Sequence, residues 1–370
     1  MKFTCNQQIL AKALNTVSKA VTVRTTIPIL KGILIEAENG KIKLSASDLD
    51  MSIEKTIDAV IEEEGSLVVS AKLFSDIVRK LPNETLMIET IDGTNVLIKT
   101  AGSEFTIVGQ PSDEFPDITD VGDVISTLSF DKEILKYMIK STYFSASSDD
   151  SKGVIVGVLL EMEENSFNMV ALDGFRMAIC RERIKNEKEG HIIIPGKTIS
   201  EILKILSESE DDQDVEMIVG KKKANILMKD TRISVNLIDG EFIKYRDILP
   251  KESTTRININ RQELLTGIER ASLLAKEGKN NLIKCTISGN LLTINSKSEE
   301  GTVKEDIIME KTGEDMQIGF NSKYLSEALK AIEDEDVMLE LKTSVTPCII
   351  KPLEGNGYEY LVLPVRISSN

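Results

Sequence analysis

Apolar residues along this chain switch between a helical interval and strict alternation, and the switch recurs three times at a spacing of about 125 residues. Three stretches align without a gap: SAKLFSDIVR at 70–79, PGKTISEILK at 195–204 and NSKYLSEALK at 321–330. Each has Lys third, Ser sixth, an acid seventh and a base tenth, with apolar residues at helical intervals between, so each predicts one amphipathic helix. Bases seven positions apart fall two turns along one helix face. The runs LVV, HIII and MQIGF just before them predict a strand leading into each helix.

A second helix opens every unit. Asn6, Asp131 and Asn260 are side chains suited to capping the free amides of a first turn, and helical periodicity follows them over 7–20, 132–143 and 261–275. The strands leading in are KFTC, TLSF and RINI. Further alternating runs follow, for example 85–89 and 95–100 around the turn pair Asp92-Gly93. Polar, breaker-rich segments at 120–123 and 250–254 read as linkers. The expected architecture is α+β, with three repeated domains, 1–124, 125–252 and 253–370, each an antiparallel sheet carrying two helices on one side.

Charge adds a second pattern. The chain carries 45 Lys and Arg against 60 Asp and Glu, a net −15, which excludes a protein that coats nucleic acid over its whole surface. The six predicted helices nevertheless sum to +7, leaving −22 on everything else. Six such helices on one concave wall would present a cationic lining inside an acidic shell. Lys at helical spacing is also what a solvated face looks like, and duplication alone would preserve the pattern. Helices packed about 10 Å apart in a closed ring leave a bore of about 9 Å if six are used and about 28 Å if twelve are used. Only the larger bore admits a duplex, so the lining idea requires two chains closed head to tail.

The chemical inventory is sparse. His191 is the only histidine, which removes imidazole-pair metal sites and His-dependent nucleophile systems. No phosphate loop, dinucleotide fingerprint or DxDxDG calcium loop occurs, so no enzyme and no cofactor is expected. The pairs Asp48/Asp50 and Asp149/Asp150 could serve a carboxylate metal site or simply cap turns. Cys5, Cys180, Cys285 and Cys348 are dispersed in apolar runs and read as reduced core thiols. The amino end lacks the apolar core of a signal peptide and no stretch approaches about 18 apolar residues, so a cytoplasmic location is expected.

Several segments together carry a family likeness. KFTC, Thr26-Ile27-Pro28-Ile29-Leu30, Ser47-Asp48-Leu49-Asp50-Met51, Phe115-Pro116, Asp173-Gly174-Phe175-Arg176-Met177-Ala178, Ile238-Asp239-Gly240-Glu241-Phe242 with Tyr245-Arg246, and Leu363-Pro364-Val365-Arg366 occur in one order across the whole chain. In that order and spacing the chain resembles the bacterial DNA polymerase III β subunits, the sliding clamps. The resemblance implies the DNA clamp fold, in which each three-domain chain is half of a closed ring, and a homodimer that encircles double-stranded DNA without sequence preference. It also implies a processivity factor that tethers the replicative DNA polymerase, is opened by an ATP-dependent clamp loader, and takes peptides from polymerase, loader and repair proteins in one shared pocket.

Carried over by position, the peptide pocket comprises Ile155, Leu172, Gly174, Phe175, Arg176, Met177, Ile243, Ile248, Leu361, Val362, Leu363, Pro364, Val365 and Arg366, with Asn321 and Tyr324 at its margin. Such a set makes an apolar trough with a few polar rim groups, suited to Leu or Phe anchors of an extended peptide. Asp173-Gly174 is equally the chemistry of a hairpin turn, and the terminal LVLP that of an edge strand. Ile243 stands where many relatives have Pro, Asp247 where a base is often present and Phe175 where some have His, and Ser368 to Asn370 extend past the usual end. The expected DNA contacts are Arg24, Lys72, Arg79, Lys136, Lys140, Lys197, Lys204, Lys276, Lys323 and Lys330, all reaching phosphates rather than bases. The expected subunit interface sets Phe105 and Ile107 of one chain against Leu273 and Leu274 of the other, where apolar burial contributes several kcal/mol. An acidic peptide-binding scaffold that does not encircle DNA is the alternative.

Overall fold

A computed structural model describes residues 1–22, 24–116, 118, 121–184, 189–210 and 213–367. Its six α-helices are α1 (Gln7–Val17), α2 (Ala71–Lys80), α3 (Lys132–Thr142), α4 (Gly196–Glu208), α5 (Arg261–Ala275) and α6 (Ser322–Ala331). The predicted caps are in place. Asn6 Oδ1 accepts from the amides of Gln8 (2.9 Å) and Ile9 (3.3 Å), Asp131 Oδ1 from those of Glu133 (2.8 Å) and Ile134 (3.1 Å), and Asn260 Oδ1 from that of Glu263 (3.0 Å). The first helix is shorter than its periodicity suggests, because Ser18–Ala20 wind as a tighter 3₁₀ turn, a common way for an α-helix to end.

By contact density the chain forms two compact units, one of residues 1–134 and 204–237, the other of residues 135–203 and 238–370. The middle third therefore contributes to both. In the first unit the described strands join into one thirteen-stranded sheet. Its continuity depends on the strand Thr231–Asn236 pairing antiparallel with Met51–Asp58, Val235 opposite Met51 and Thr231 opposite Lys55. Helices α1 and α2 bury Leu10, Leu14, Val17, Phe74, Ile77 and Val78, and Gln7 Nε2 donates to the Val78 carbonyl at 2.7 Å to tie the two together. Asp92 and Gly93 turn the predicted hairpin with φ of 46° and 86°.

The second unit holds a nine-stranded and a four-stranded antiparallel sheet. Here the strand Arg176–Glu182 pairs with Tyr358–Val362, Arg176 opposite Val362 and Cys180 opposite Tyr358. Alternation along the last strand sends Tyr360 and Val362 into the large core under α5 and α6, and Leu361 into a smaller apolar cluster on the opposite face. Helix α5 lies so close to the four-stranded sheet that a Cβ on Gly267 would come within 2.7 Å of Ile307 Cδ1, which explains a glycine in the middle of a helix. All four cysteines are buried and free, on strands.

Candidate functional site

The smaller cluster lies beside a tight turn. Asp173 Oδ1 accepts from the amides of Phe175 (2.8 Å) and Arg176 (3.1 Å), and Gly174 takes the left-handed conformation at φ 94° that lets the chain reverse there. The turn thus has the hairpin chemistry its sequence suggests, and it also presents Phe175, which is 54% exposed.

Arg176 points the other way and is 8% exposed. Its Nε donates to Asp173 Oδ2 at 3.0 Å, one terminal nitrogen to the Phe144 carbonyl at 2.7 Å and the other to Glu327 of α6. The guanidinium lies 5.4 Å from the Phe144 ring centroid and 4.7 Å from that of Tyr324. A buried cation is tolerated because two carboxylates and a carbonyl satisfy its fork. Tyr324 in turn stacks on Phe175, and Lys152 Nζ sits 5.6 Å from the Phe175 ring centroid while donating to the Asp173 carbonyl at 3.1 Å. Burial first, then the Asp173 charge, pushes the Tyr324 hydroxyl upward, so it stays a neutral donor.

Leu172, Met177 and Leu361 are buried in the cluster, and Ile155 and Leu363 pack against it half-buried. The Leu363 amide donates to the Phe175 carbonyl at 2.9 Å and that of Val365 to the Gly319 carbonyl at 2.8 Å, which lays the tail along the turn. Pro364 and Val365 are half-buried and Arg366 is exposed. Val362 turns to the other core, and the Asn321 side chain, expected at the margin, caps α6 by accepting from the Lys323 amide at 3.0 Å. Ser368 to Asn370 lie outside the described residues.

The segment 237–254 contains no strand or α-helix, only the short turn Tyr245–Ile248. Along it, Ile243 and Ile248 are 41% and 43% exposed, whereas Phe242 and Leu249 pack on the cluster. That Phe242 and Leu249 pack on the cluster and Lys152 covers Phe175 are placements that sequence reasoning missed. Phe242 sits inside a motif already singled out, but nothing in the local pattern marks Lys152.

Among the proposed DNA contacts, Lys72, Arg79, Lys197, Lys204, Lys323 and Lys330 are all exposed, at matching positions of α2, α4 and α6. Arg24, Lys140 and Lys276 are exposed as well and Lys136 half-buried. Several are ion-paired within the chain: Arg79 with Asp76, Lys140 with Glu333 (3.0 Å), Lys197 with Asp150 (3.0 Å), Lys323 with Glu327 (3.9 Å) and Lys330 with Glu269 (2.8 Å). Exposed pairs of this kind are worth about 0–1 kcal/mol, so a phosphate can displace the acid. Phe105 is 41% exposed and Ile107 buried, on the strand Glu104–Gln110, whose residues 104–108 have a strand partner on one side only among the described residues. Leu273 is 67% exposed and Leu274 half-buried on α5; among the described residues the edge strand Gly301–Ile308 pairs with Leu291–Ser298 alone.

Asp48 and Asp149, one acid of each pair, serve turns. Asp48 Oδ1 accepts from the amides of Asp50 (3.0 Å) and Met51 (2.7 Å), and Asp149 Oδ1 from the amide (3.1 Å) and hydroxyl (2.7 Å) of Ser151. Among the described residues no group of three or more His, Cys, Asp or Glu side chains is placed to hold a metal ion, and no helix is long and apolar enough to cross a membrane.

Repeated helices with matched exposed bases, strand edges with one neighbour among the described residues and an apolar cluster beside a tight turn define a repeat-built α+β protein. Residues 1–119, 129–244 and 246–366 match the N-terminal, central and C-terminal domains of the DNA polymerase III beta subunit, and the chain belongs to that family. It is 33% identical over 377 aligned positions to the beta sliding clamp of Staphylococcus epidermidis, covering 99% of both chains. The crystal structure of the Bacillus subtilis DNA polymerase sliding clamp superposes with a TM-score of 0.95 at 32% identity, covering 100% of both chains. That of the Thermotoga maritima DNA polymerase III beta subunit gives 0.91 at 29% identity, covering 99% of this chain and 100% of that one.

Proposed function

We propose that this chain is a DNA replication processivity factor: two copies close head to tail around double-stranded DNA, slide along it, and hold the replicative polymerase and other clamp-binding proteins by short peptides. The match of all three family domains, in order along the chain, carries this reading. Phosphate contact is assigned to the repeated exposed bases, led by Lys72, Lys197 and Lys323 with Arg79, Lys204 and Lys330. Closure is assigned to the edges bearing Phe105 and Leu273, and peptide capture to the trough of Leu172, Met177, Leu361 and Leu363 under Phe175. An ATP-dependent loader would open the ring at those edges. Tethering makes and breaks no covalent bond, so neither a catalytic group nor a cofactor is assigned, and the setting is the cytoplasm. Processivity then comes from the high effective concentration of a tethered polymerase.

The test is topological. The protein should stay on closed circular DNA in high salt and run off the same DNA once it is linear, whereas equal loss from both overturns encirclement. Reversing Lys72, Lys197 and Lys323 to Glu should impair loading or retention; intact polymerase stimulation by that variant would favour a scaffold that binds peptides without enclosing DNA.

A further inference from the structure

The segment 237–254 has no strand or α-helix of its own; its ends are tied by the Ile238 amide to the Ile193 carbonyl (2.8 Å) and the Thr254 amide to the Leu341 carbonyl (2.9 Å), and between them Tyr245 and Arg246 reach the carboxylates of Glu161 and Glu163. Glu161 lies on the strand Gly157–Glu163. Its Oε2 accepts from the Tyr245 hydroxyl at 2.7 Å, from Arg246 at 2.8 Å and from Asn168 Nδ2 at 3.1 Å, and its Oε1 accepts from Arg246 at 2.9 Å. Arg246 reaches Glu163 as well, at 2.6 Å, and its guanidinium covers the Tyr245 ring at 4.7 Å. Tyr245 is 3% exposed within the same apolar cluster as Leu172, Met177 and Leu361. We propose that Glu161 is a positioning residue for peptide capture: by fastening Tyr245 and Arg246 to the sheet it fixes where Phe242 and Ile243 on one side, and Ile248 and Leu249 on the other, meet a bound peptide.

Glu161 makes most of this middle anchorage, with Glu163 as a second contact of Arg246. A bidentate pair with Arg246 fixes direction as well as distance, and the Tyr245 hydroxyl adds a third point of attachment within one residue of it. Burial alone would raise the Glu161 carboxyl, but hydrogen bonds from Arg246, Tyr245 and Asn168 outweigh it and hold the group below its ordinary range, so it is ionised at neutral pH. Without Glu161 the segment keeps its apolar contacts, its tied ends and the Arg246–Glu163 pair but loses the bidentate pair and the Tyr245 attachment, so a peptide must supply part of the ordering on binding.

The inference rests on the trough being the peptide site, and the experiment separates the two. In the full-length protein, affinity for a fluorescent Leu-Phe-containing peptide is measured for the parent, Glu161→Gln, Tyr245→Phe and Met177→Ala. The chain has no Trp, so Lys244→Trp, introduced into parent and Glu161→Gln backgrounds, reports the mobility of the wall through indole anisotropy. Glu161→Gln should weaken the peptide by about tenfold and lower the anisotropy of Trp at 244, with Tyr245→Phe following in the same direction. Unchanged affinity for Glu161→Gln alongside loss in Met177→Ala overturns the positioning role while keeping the trough. Unchanged affinity in Met177→Ala overturns the trough and the inference with it. A purely structural role would lower the melting temperature and leave the peptide affinity of the folded protein and the indole signal unmoved; should Glu161→Gln fail to fold, Tyr245→Phe, which removes one hydroxyl, decides.

Discussion

Phe175 and Tyr324 stack with ring centroids 6.1 Å apart and planes within 19° of each other, Lys152 covering the first ring and Arg176 the second. Cation, ring, ring and cation lie in series, so a side chain that is half in solvent is still held in one orientation. Phe175→Ala should therefore cost only about 1 kcal/mol of stability while weakening peptide binding several-fold, because an exposed, preoriented ring contributes chiefly to partners. Chemical denaturation and peptide titration of the same variant check both halves.

Removing the inner cation should act on the fold itself. Arg176→Ala strands Asp173 and Glu327 as buried or half-buried acids and empties the space between two rings, a change that costs about 3–5 kcal/mol. Arg176→Lys should recover little, since an ammonium cannot span Asp173, Glu327 and the Phe144 carbonyl together. Urea unfolding of the two variants measures the difference.

Two turns of the same build should respond oppositely to glycine exchange. Asp173 and Asp48 each accept from the amides two and three residues on, and the residue after each is left-handed: Gly174 at φ 94° and Leu49 at φ 77°. Gly174→Ala should destabilise by about 1–2 kcal/mol, whereas Leu49→Gly should be neutral or stabilising because Leu49 is half-exposed and strained. Thermal melts of the pair read the sign directly.

Burial pushes the thiols of Cys5, Cys180 and Cys285 up to about 12, from an ordinary 9.0. A thiol whose folded value is raised contributes stability that is fully present below pH 9 and is lost as pH climbs from 9 toward 12, where the unfolded chain ionises first. Stability measured across that window should fall. At pH 8 a thiol reagent should label none of the four in the native protein and all four after unfolding.

Local order was legible because its determinants are local. Caps at Asn6, Asp131 and Asn260, and the Lys-Ser-acid-base series of α2, α4 and α6, needed only neighbouring residues. The site was less so. Arg176 and Glu327 are 151 positions apart, Arg246 and Glu161 85, and Lys140 and Glu333 193, separations at which no periodic pattern survives. Charge summed along helices likewise could not foresee which bases meet an acid from a distant segment. The separation of Leu361 from Val362, by contrast, follows from strand alternation and was available to a stricter reading of LVLP.

The two strand pairings that weld the repeats, residues 51–55 with 231–235 and 176–180 with 358–362, make each joint as stiff as a sheet interior. Flexing there would tear amide hydrogen bonds that no side-chain rearrangement could replace. On the closure proposed above, a loader would part the edges at 104–108 and 301–308, whose backbone has one strand neighbour among the described residues, while the joint inside each unit stayed whole.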